Sequence, residues 1–128
     1  MPPLFSVVIP TRGSEAKLAP LIAGLARQAL PRERFEVIVV FDGAVPLPAV
    51  RSALETIGAR ILHLENRSGP PVARNRGAAL ASGEFIVSAD DDIVPEPDWL
   101  SSAAERIAAE PDLDVIEGGT GKPGGRPV

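Results

Sequence analysis

The sequence predicts an α/β domain whose mainly parallel sheet carries helices on both faces. Three features carry that prediction. Short runs such as Val7-Val8-Ile9 and Val37-Ile38-Val39-Val40 are apolar at nearly every position, the pattern of strands buried on both sides rather than one. Segments with apolar residues at helical spacing alternate with those runs along the chain. Parallel neighbours also need long, right-handed crossovers, and helices between strands supply them.

The first strand is read at Leu4-Phe5-Ser6-Val7-Val8-Ile9, stopped by Pro10. After Thr11-Arg12-Gly13, Ser14 caps a helix with Glu15 in its first turn; Leu18, Leu21, Ile22, Leu25 and Ala29 form its apolar stripe and Pro31 closes it. Phe35 to Phe41 reads as a second buried strand, ended by the turn pair Asp42-Gly43. A proline-rich link, Val45 to Pro48, leads to a shorter helix with Val50, Leu54 and Ile57 on one face and Gly58 at its end. Arg60 to Leu64 is a third strand, less apolar and therefore expected near a sheet edge. Pro70-Pro71 suits a helix start, and Ala73, Gly77, Leu80 and Ala81 share one face of the helix that follows. A glycine inside a helix costs about 1 kcal/mol relative to alanine. Gly77 is therefore expected where this helix meets the sheet or a ligand too closely for a side chain.

Ser82-Gly83 ends that helix, and Glu84 to Ser88 forms a fourth strand that delivers Asp90-Asp91-Asp92 into a loop running to Asp98. Leu100, Ala103, Ala104, Ile107 and Ala108 mark another helix, and Leu113 to Ile116 a fifth strand. From Gly118 the chain is dominated by Gly and Pro. The expected organisation is one domain over residues 1–117 and a flexible tail over 118–128.

A chain of 128 residues fits one domain. Thirteen Lys and Arg against 17 Asp and Glu give a net charge of -4, so there is no electrostatic footprint for nucleic acid or an anionic membrane. The absence of cysteine removes disulfides, thiolate metal sites and a thiol nucleophile. No apolar run is long enough to span a membrane, and Met1 to Phe5 lacks the features of a signal peptide, so a cytoplasmic chain is expected.

The chemistry concentrates at Asp90-Asp91-Asp92. Adjacent ionised carboxylates repel, and a hard divalent cation, which prefers oxygen ligands, relieves that cost. Acidic runs are also common in solvated turns. Placement separates the readings: open parallel sheets bind ligands outside the carboxyl ends of their strands. Thr11 and Arg12 after the first strand, Asp42 after the second and the triplet after the fourth would all stand on that rim. No G-x-G-x-x-G follows the first strand and no G-x-x-x-x-G-K-[ST] occurs, so phosphate would be held by metal and arginine. Arg74 and Arg76 are the candidates, with Arg76 equally well read as part of a solvated helix face. His63, with no second ligand nearby, and Trp99 read as packing or surface residues. Ser68 and Ser88 have no base that would make either a nucleophile.

In order, Ser6-Val7-Val8-Ile9-Pro10-Thr11, Val39-Val40-Phe41-Asp42-Gly43, Ala73-Arg74-Asn75-Arg76-Gly77, Ala81-Ser82-Gly83-Glu84, Asp90-Asp91-Asp92 and Pro97-Asp98-Trp99-Leu100 resemble the nucleotide-sugar half of family 2 glycosyltransferases. The resemblance covers about residues 4–117. It implies a GT-A fold with a Rossmann-like nucleotide-binding half, a nucleotide-sugar donor, usually a UDP-sugar, and Mn²⁺ or Mg²⁺ held through a D-x-D motif. Carried over, Pro10 and Thr11 lie beside the nucleoside, with Arg12 next to them counted among the nucleotide-binding residues, Asp42 contacts the base, and Arg74 approaches base or diphosphate. Asp90 and Asp91 fall on the nucleotide side and Asp92, with Asp90 in the first D-x-D position, on the metal. Phe41-Asp42-Gly43-Ala44 departs from the family's two acids and a serine. The acceptor site and base belong in the family to a second half after the fifth strand, so no base is assigned and the acceptor is unknown. The expected function is donor binding for inverting transfer, with self-association through apolar surface that the second half would cover. The alternatives are a non-catalytic nucleotide-binding or interaction module and, ranked lower, a sugar-nucleotide pyrophosphorylase.

Overall fold

The computed structural model describes residues 2–110 and the backbone of Thr120 and Gly121. The elements run β1 (Phe5–Thr11), α1 (Glu15–Ala26), a short 3-10 turn (Arg32–Arg34), β2 (Phe35–Asp42), α2 (Pro48–Thr56), β3 (Arg60–Leu64), α3 (Pro70–Ala78), β4 (Phe85–Ser88), α4 (Trp99–Ala109) and β5 (Thr120–Gly121). They form one sheet in the order β3-β2-β1-β4-β5. β1 runs parallel to β2 from Phe5↔Phe35 to Thr11↔Phe41, and parallel to β4 from Phe5↔Phe85 to Val8↔Ser88. β3 is parallel to β2 at the edge that its weaker hydropathy predicts, and only β5 is antiparallel.

Side-chain alternation along β1 and β2 sorts the helices onto two faces. Phe5, Val7, Ile9, Val37, Val39 and Phe41 point into one buried cluster with Leu18, Leu21 and Leu25 of α1, Val50 and Leu54 of α2, and Leu100 of α4. Val8, Ile38 and Val40 point the other way, against Ala73 of α3. Both faces of the central strands are therefore dry, which is why their sequences read as continuous apolar runs. Among the described residues no helix is long and apolar enough to cross a membrane.

Several boundaries differ from the sequence reading. Pro10 does not stop β1; the strand continues through it to Thr11. The last β1–β4 pair is Val8↔Ser88, so at Pro10 the strand is paired on one side only, the circumstance in which a missing N–H is tolerated. α1 ends at Ala26 rather than at Pro31, and Ala29 is exposed, with Leu30 buried in its stead. The Ala29 N–H is donated to the Pro97 carbonyl at 2.8 Å, a distant partner that draws the chain out of the helix. α3 ends at Ala78, and Leu80 and Ala81 pack against the second cluster from beyond it. Leu113 to Ile116, the expected fifth strand, lies outside the described residues. Thr120 and Gly121, within the segment expected to be a tail, pair with Val87 and Ile86.

Gly77 is where α3 comes closest to the sheet. A Cβ there would lie 2.5 Å from Val8 Cγ1 and 2.9 Å from Val40 Cγ2, inside any tolerable contact. Gly77→Ala is expected to destabilise the fold by about 1–3 kcal/mol, because overpacking outweighs the gain in helix propensity. Urea unfolding followed by circular dichroism checks this; a variant as stable as the wild type would contradict the close approach.

At the opposite end of the strands from their carboxyl rim, Glu36 gathers a polar network. Its Oε2 accepts hydrogen bonds from Ser6 Oγ at 2.5 Å, the Ser82 N–H at 2.6 Å and Ser82 Oγ at 2.9 Å, and Arg60 stands 3.6 Å from Oε1. The Gly83 N–H closes the network on Ser6 Oγ at 2.8 Å. Burial by itself would push the Glu36 carboxyl up. The bonds from Ser6 and Ser82 and the charge of Arg60 outweigh it and hold the carboxyl below its ordinary value. Because the folded state lowers this pKa, the stability it contributes is present above the ordinary glutamate range and is lost as pH falls through the lowered value. Glu36→Gln is expected to cost about 1–2 kcal/mol at pH 7. The difference from wild type should shrink in urea melts toward pH 3, whereas a pH-independent difference would mean that the charge of Glu36 is not what the network uses.

Candidate functional site

β1, β2 and β4 run in one direction and finish at one rim, where a cleft of about 260 Å³ opens. Pro10, Thr11 and Arg12 enter it from the end of β1, Asp42 from the end of β2, Arg74 from α3, and Asp90, Asp91 and Asp92 from the loop after β4. Every residue that the sequence assigned to nucleotide or metal thus meets in one cavity. Arg76 does not join them; with His63 it lines a separate depression beside β3.

Ser14, Lys17, Arg67 and Pro70 also line the cleft, and sequence reasoning assigned none of them to it. The signal was present. Lys17 lies in the first turn of a helix that starts at this rim, and Arg67 in the loop that leaves β3 there. The placement argument used for Asp42 applies equally to both.

Two of the three carboxylates of the triplet have separate partners, which relieves its self-repulsion. Asp91 Oδ2 accepts from Thr11 Oγ1 at 2.8 Å, and Thr11 Oγ1 in turn accepts the Gly13 N–H at 3.0 Å. Thr11 is buried, so its hydroxyl is committed to joining the end of β1 to the acidic loop. Asp90 pairs with Arg74 at 3.1 Å; Asp90 is exposed and Arg74 partly so, and the pair adds little stability but orients two cleft-lining groups. Asp92 is exposed, and among the described residues it has no hydrogen-bond or ion-pair partner. Asp42, by contrast, is almost wholly buried, and both its oxygens accept backbone N–H groups, Ser68 at 2.7 Å and Gly69 at 2.9 Å.

Gln28 supports the acidic loop from behind. Its side-chain amide donates to the Glu96 carbonyl at 2.7 Å, and its carbonyl accepts the Leu100 N–H at 3.0 Å in the first turn of α4. It therefore ties the end of the segment that follows the triplet to the first turn of α4. Such a role is invisible in sequence because the contact spans the chain.

Among the described residues no three Asp, Glu, His or Cys side chains converge as a closed metal cage. The donor set still fits magnesium or manganese, which commonly take one or two carboxylates and complete their shell with water and phosphate oxygens. Asp92, unengaged, and Asp90, on the wet side of the cleft, offer such a half-site.

A doubly covered parallel sheet with basic and acidic side chains meeting in a cleft at its carboxyl rim defines an α/β domain of the kind that takes ligands outside the carboxyl ends of its strands. The model of glycosyl transferase family 2 matches residues 6–125, and the chain belongs to this family. It is 35% identical over 106 residues to the poly(ribitol-phosphate) beta-N-acetylglucosaminyltransferase TarS of Staphylococcus aureus, covering 80% of this chain and 18% of that one. It is 33% identical over 119 residues to validoxylamine A glucosyltransferase of Streptomyces hygroscopicus subsp. limoneus, covering 91% of this chain and 26% of the relative. The solved structure of S. aureus TarS residues 1–349 with UDP-GlcNAc superposes with a TM-score of 0.76 at 34% identity, over 85% of this chain and 32% of that one. Mannosyltransferase PcManGT of Pyrobaculum calidifontis, in complex with GDP-Man and Mn²⁺, gives 0.70 at 26% identity, over 84% and 33%. The chain therefore spans about a third or less of each of these proteins, and the expected GT-A architecture is the one that its neighbours have.

Thr11→Val keeps the shape of a buried side chain while leaving Asp91 Oδ2 and the Gly13 N–H without this partner. The expected cost is about 1–3 kcal/mol of stability, read as a lowered midpoint in thermal melts. An unchanged midpoint would mean that solvent replaces both bonds.

Proposed function

We propose that this chain is the donor-binding domain of an inverting glycosyltransferase, taking a nucleoside diphosphate-sugar, most simply a UDP-sugar, with Mn²⁺ or Mg²⁺. The observation that carries this reading is the convergence of Pro10, Thr11, Arg12, Asp42, Arg74 and Asp90 to Asp92 on one cleft. UDP-GlcNAc in TarS and GDP-Man with Mn²⁺ in PcManGT support the ligand class.

The chemistry of the wall fits that ligand. Arg12, Lys17, Arg67 and Arg74 supply cationic donors for a diphosphate, and arginine's planar fork suits paired phosphate oxygens. Pro10 and Thr11 form the floor beside the nucleoside, while Asp90 and Asp91 lie on its ribose side. Asp92, with Asp90 beside it, holds the metal. When bound, a divalent ion there would neutralise charge developing on the departing diphosphate. Arg74 would leave Asp90 for phosphate, so donor entry frees one carboxylate as it engages one guanidinium.

A second reading, nucleotide binding without transfer, draws on the same carboxylates. Asp42 is occupied by backbone amides, Asp91 by Thr11 and Asp90 by Arg74, and Asp92 is assigned to the metal. None is left to accept the proton of an incoming hydroxyl, which inverting transfer requires.

Calorimetry with UDP in the presence and absence of Mn²⁺ tests the donor reading. Metal-dependent binding is expected, and Asp92→Asn should remove the metal's contribution, on the order of tenfold or more in affinity, while leaving the melting midpoint unchanged. Asp90→Asn and Asp91→Asn are compared alongside. Loss of the metal effect in Asp91→Asn alone would move the ligand by one residue, and no nucleotide binding in the wild type would remove the donor assignment. A donor-hydrolysis and transfer assay then separates the enzyme from the binding module.

A further inference from the structure

The cleft is built without an aromatic side chain. Among the described residues that line it, none is Phe, Trp or Tyr. The chain has no Tyr, its four Phe are buried in the core, and Trp99 packs against the first buried cluster. A nucleobase presents two flat π faces, which proteins cover with aromatic rings or with the plane of an arginine guanidinium. Only the second means is at hand here, from Arg12, Arg67 or Arg74.

The order of the strands separates the three. The acidic triplet follows β4, Arg12 follows the neighbouring β1, and β2 lies one strand further on. Neighbouring strands are about 4.8 Å apart, so the end of β2 stands roughly 10 Å from the end of β4. An extended nucleoside diphosphate whose phosphates meet a metal at Asp92 lays its base about that far away. Arg74 is held by Asp90 at 3.1 Å, on the triplet's side. Arg67 belongs to the other end. A Cβ added to Gly43, the residue after β2, would lie 2.8 Å from the Arg67 nitrogen and 3.0 Å from its Cα. The Gly43 N–H is also donated to the Leu64 carbonyl at 2.9 Å, which holds the same loop to the end of β2. Arg67 thus has a fixed backbone but an exposed side chain, with no hydrogen-bond or ion-pair partner among the described residues. Pro70, from the same loop, brings only a saturated ring to the cleft.

We propose that the base of the nucleotide stacks on the guanidinium plane of Arg67, which covers the face that an aromatic ring would otherwise cover. The inference rests on the donor reading and deepens it. Arg67 meets the base rather than a phosphate, and what it contributes depends on being flat more than on being charged. Stacking reads the plane of a base and not its edge. Arg67 therefore favours a nucleotide over a bare polyphosphate without choosing among bases.

The test compares the full chain as wild type, Arg67→Phe, Arg67→Lys and Arg67→Gln. Binding of UDP with Mn²⁺ is measured by calorimetry, and binding of inorganic pyrophosphate by its displacement of UDP. The position is exposed and every variant keeps the Cβ that lies against Gly43, so all should melt as the wild type does. Arg67→Phe, flat but uncharged, should keep most of the affinity for UDP. Arg67→Lys, charged but not flat, should lose about tenfold, as should Arg67→Gln. Pyrophosphate, which has no base, should bind all four proteins alike. The reverse order, with lysine as good as arginine and phenylalanine as poor as glutamine, overturns the proposal and turns Arg67 toward a phosphate. Weakened pyrophosphate binding in Arg67→Gln overturns it in the same way. Where pyrophosphate binds too weakly to measure, the contrast between phenylalanine and lysine decides alone. Variants that all bind UDP as the wild type does would leave the donor reading standing and remove only the role of Arg67. A wild type that binds no UDP removes the donor reading and this inference with it.

Discussion

The parallel pairing of β1 with β2 on one side and β4 on the other is the constraint on which the cleft depends. Parallel strands end at the same rim, so the residues following each arrive together although Thr11 and Asp91 are 80 positions apart in the chain. The pairing holds because both faces of the central strands are buried, and a one-residue slip would turn Val8 and Val40 away from α3 toward the opposite layer. Residues on this rim therefore need little stabilisation of their own. Their positions follow from the packing of apolar residues that never touch a ligand.

Polar groups at the two ends of the sheet are used differently. At the amino end Glu36 is saturated: serine hydroxyls, a backbone N–H and Arg60 all converge on it, which is the arrangement of a fixed structural charge. At the carboxyl end the charges are graded by depth. Asp42 is buried and fully committed, Asp91 is half-buried and tied to Thr11, Asp90 is exposed in a surface ion pair, and Asp92 is exposed. Moving outward along that series, rigidity is exchanged for availability to a ligand.

Most of the architecture was legible because it depends on period. Runs apolar at every position marked β1 and β2, helical stripes marked α1, α2 and α4, and the weaker hydropathy of β3 marked the edge. The same order of motifs gave the family, and placement at strand ends gave Thr11, Arg12, Asp42 and Asp90 to Asp92, which meet in the cleft. What was not legible depends on partners distant in sequence. α1 stops at Ala26 because Ala29 and Gln28 bond to residues 96–100, and no local pattern encodes that. Pro10 reads as a stop only if β4 is assumed to run as long as β1, whereas it ends two residues short of that point. Lys17 and Arg67 were passed over because a single basic residue in a polar stretch looks like solvated surface until the rim is drawn around it.

The buried carboxylate at the end of β2 bears on why the cleft keeps its shape when empty. A loop with two consecutive N–H groups turned toward the end of β2 is held there only if an acceptor meets both; without one it would turn them to solvent. An apolar side chain at position 42 would leave both unpaired, and a serine or threonine hydroxyl would have one oxygen for the two. A carboxylate has two oxygens in a fixed fork, each with lone pairs directed at a different amide, and it offsets its own desolvation by accepting from both. The consequence is that the wall carrying Arg67 is set by the chain itself, before any ligand arrives. The ordering cost that a loose loop would levy on binding has already been met in folding.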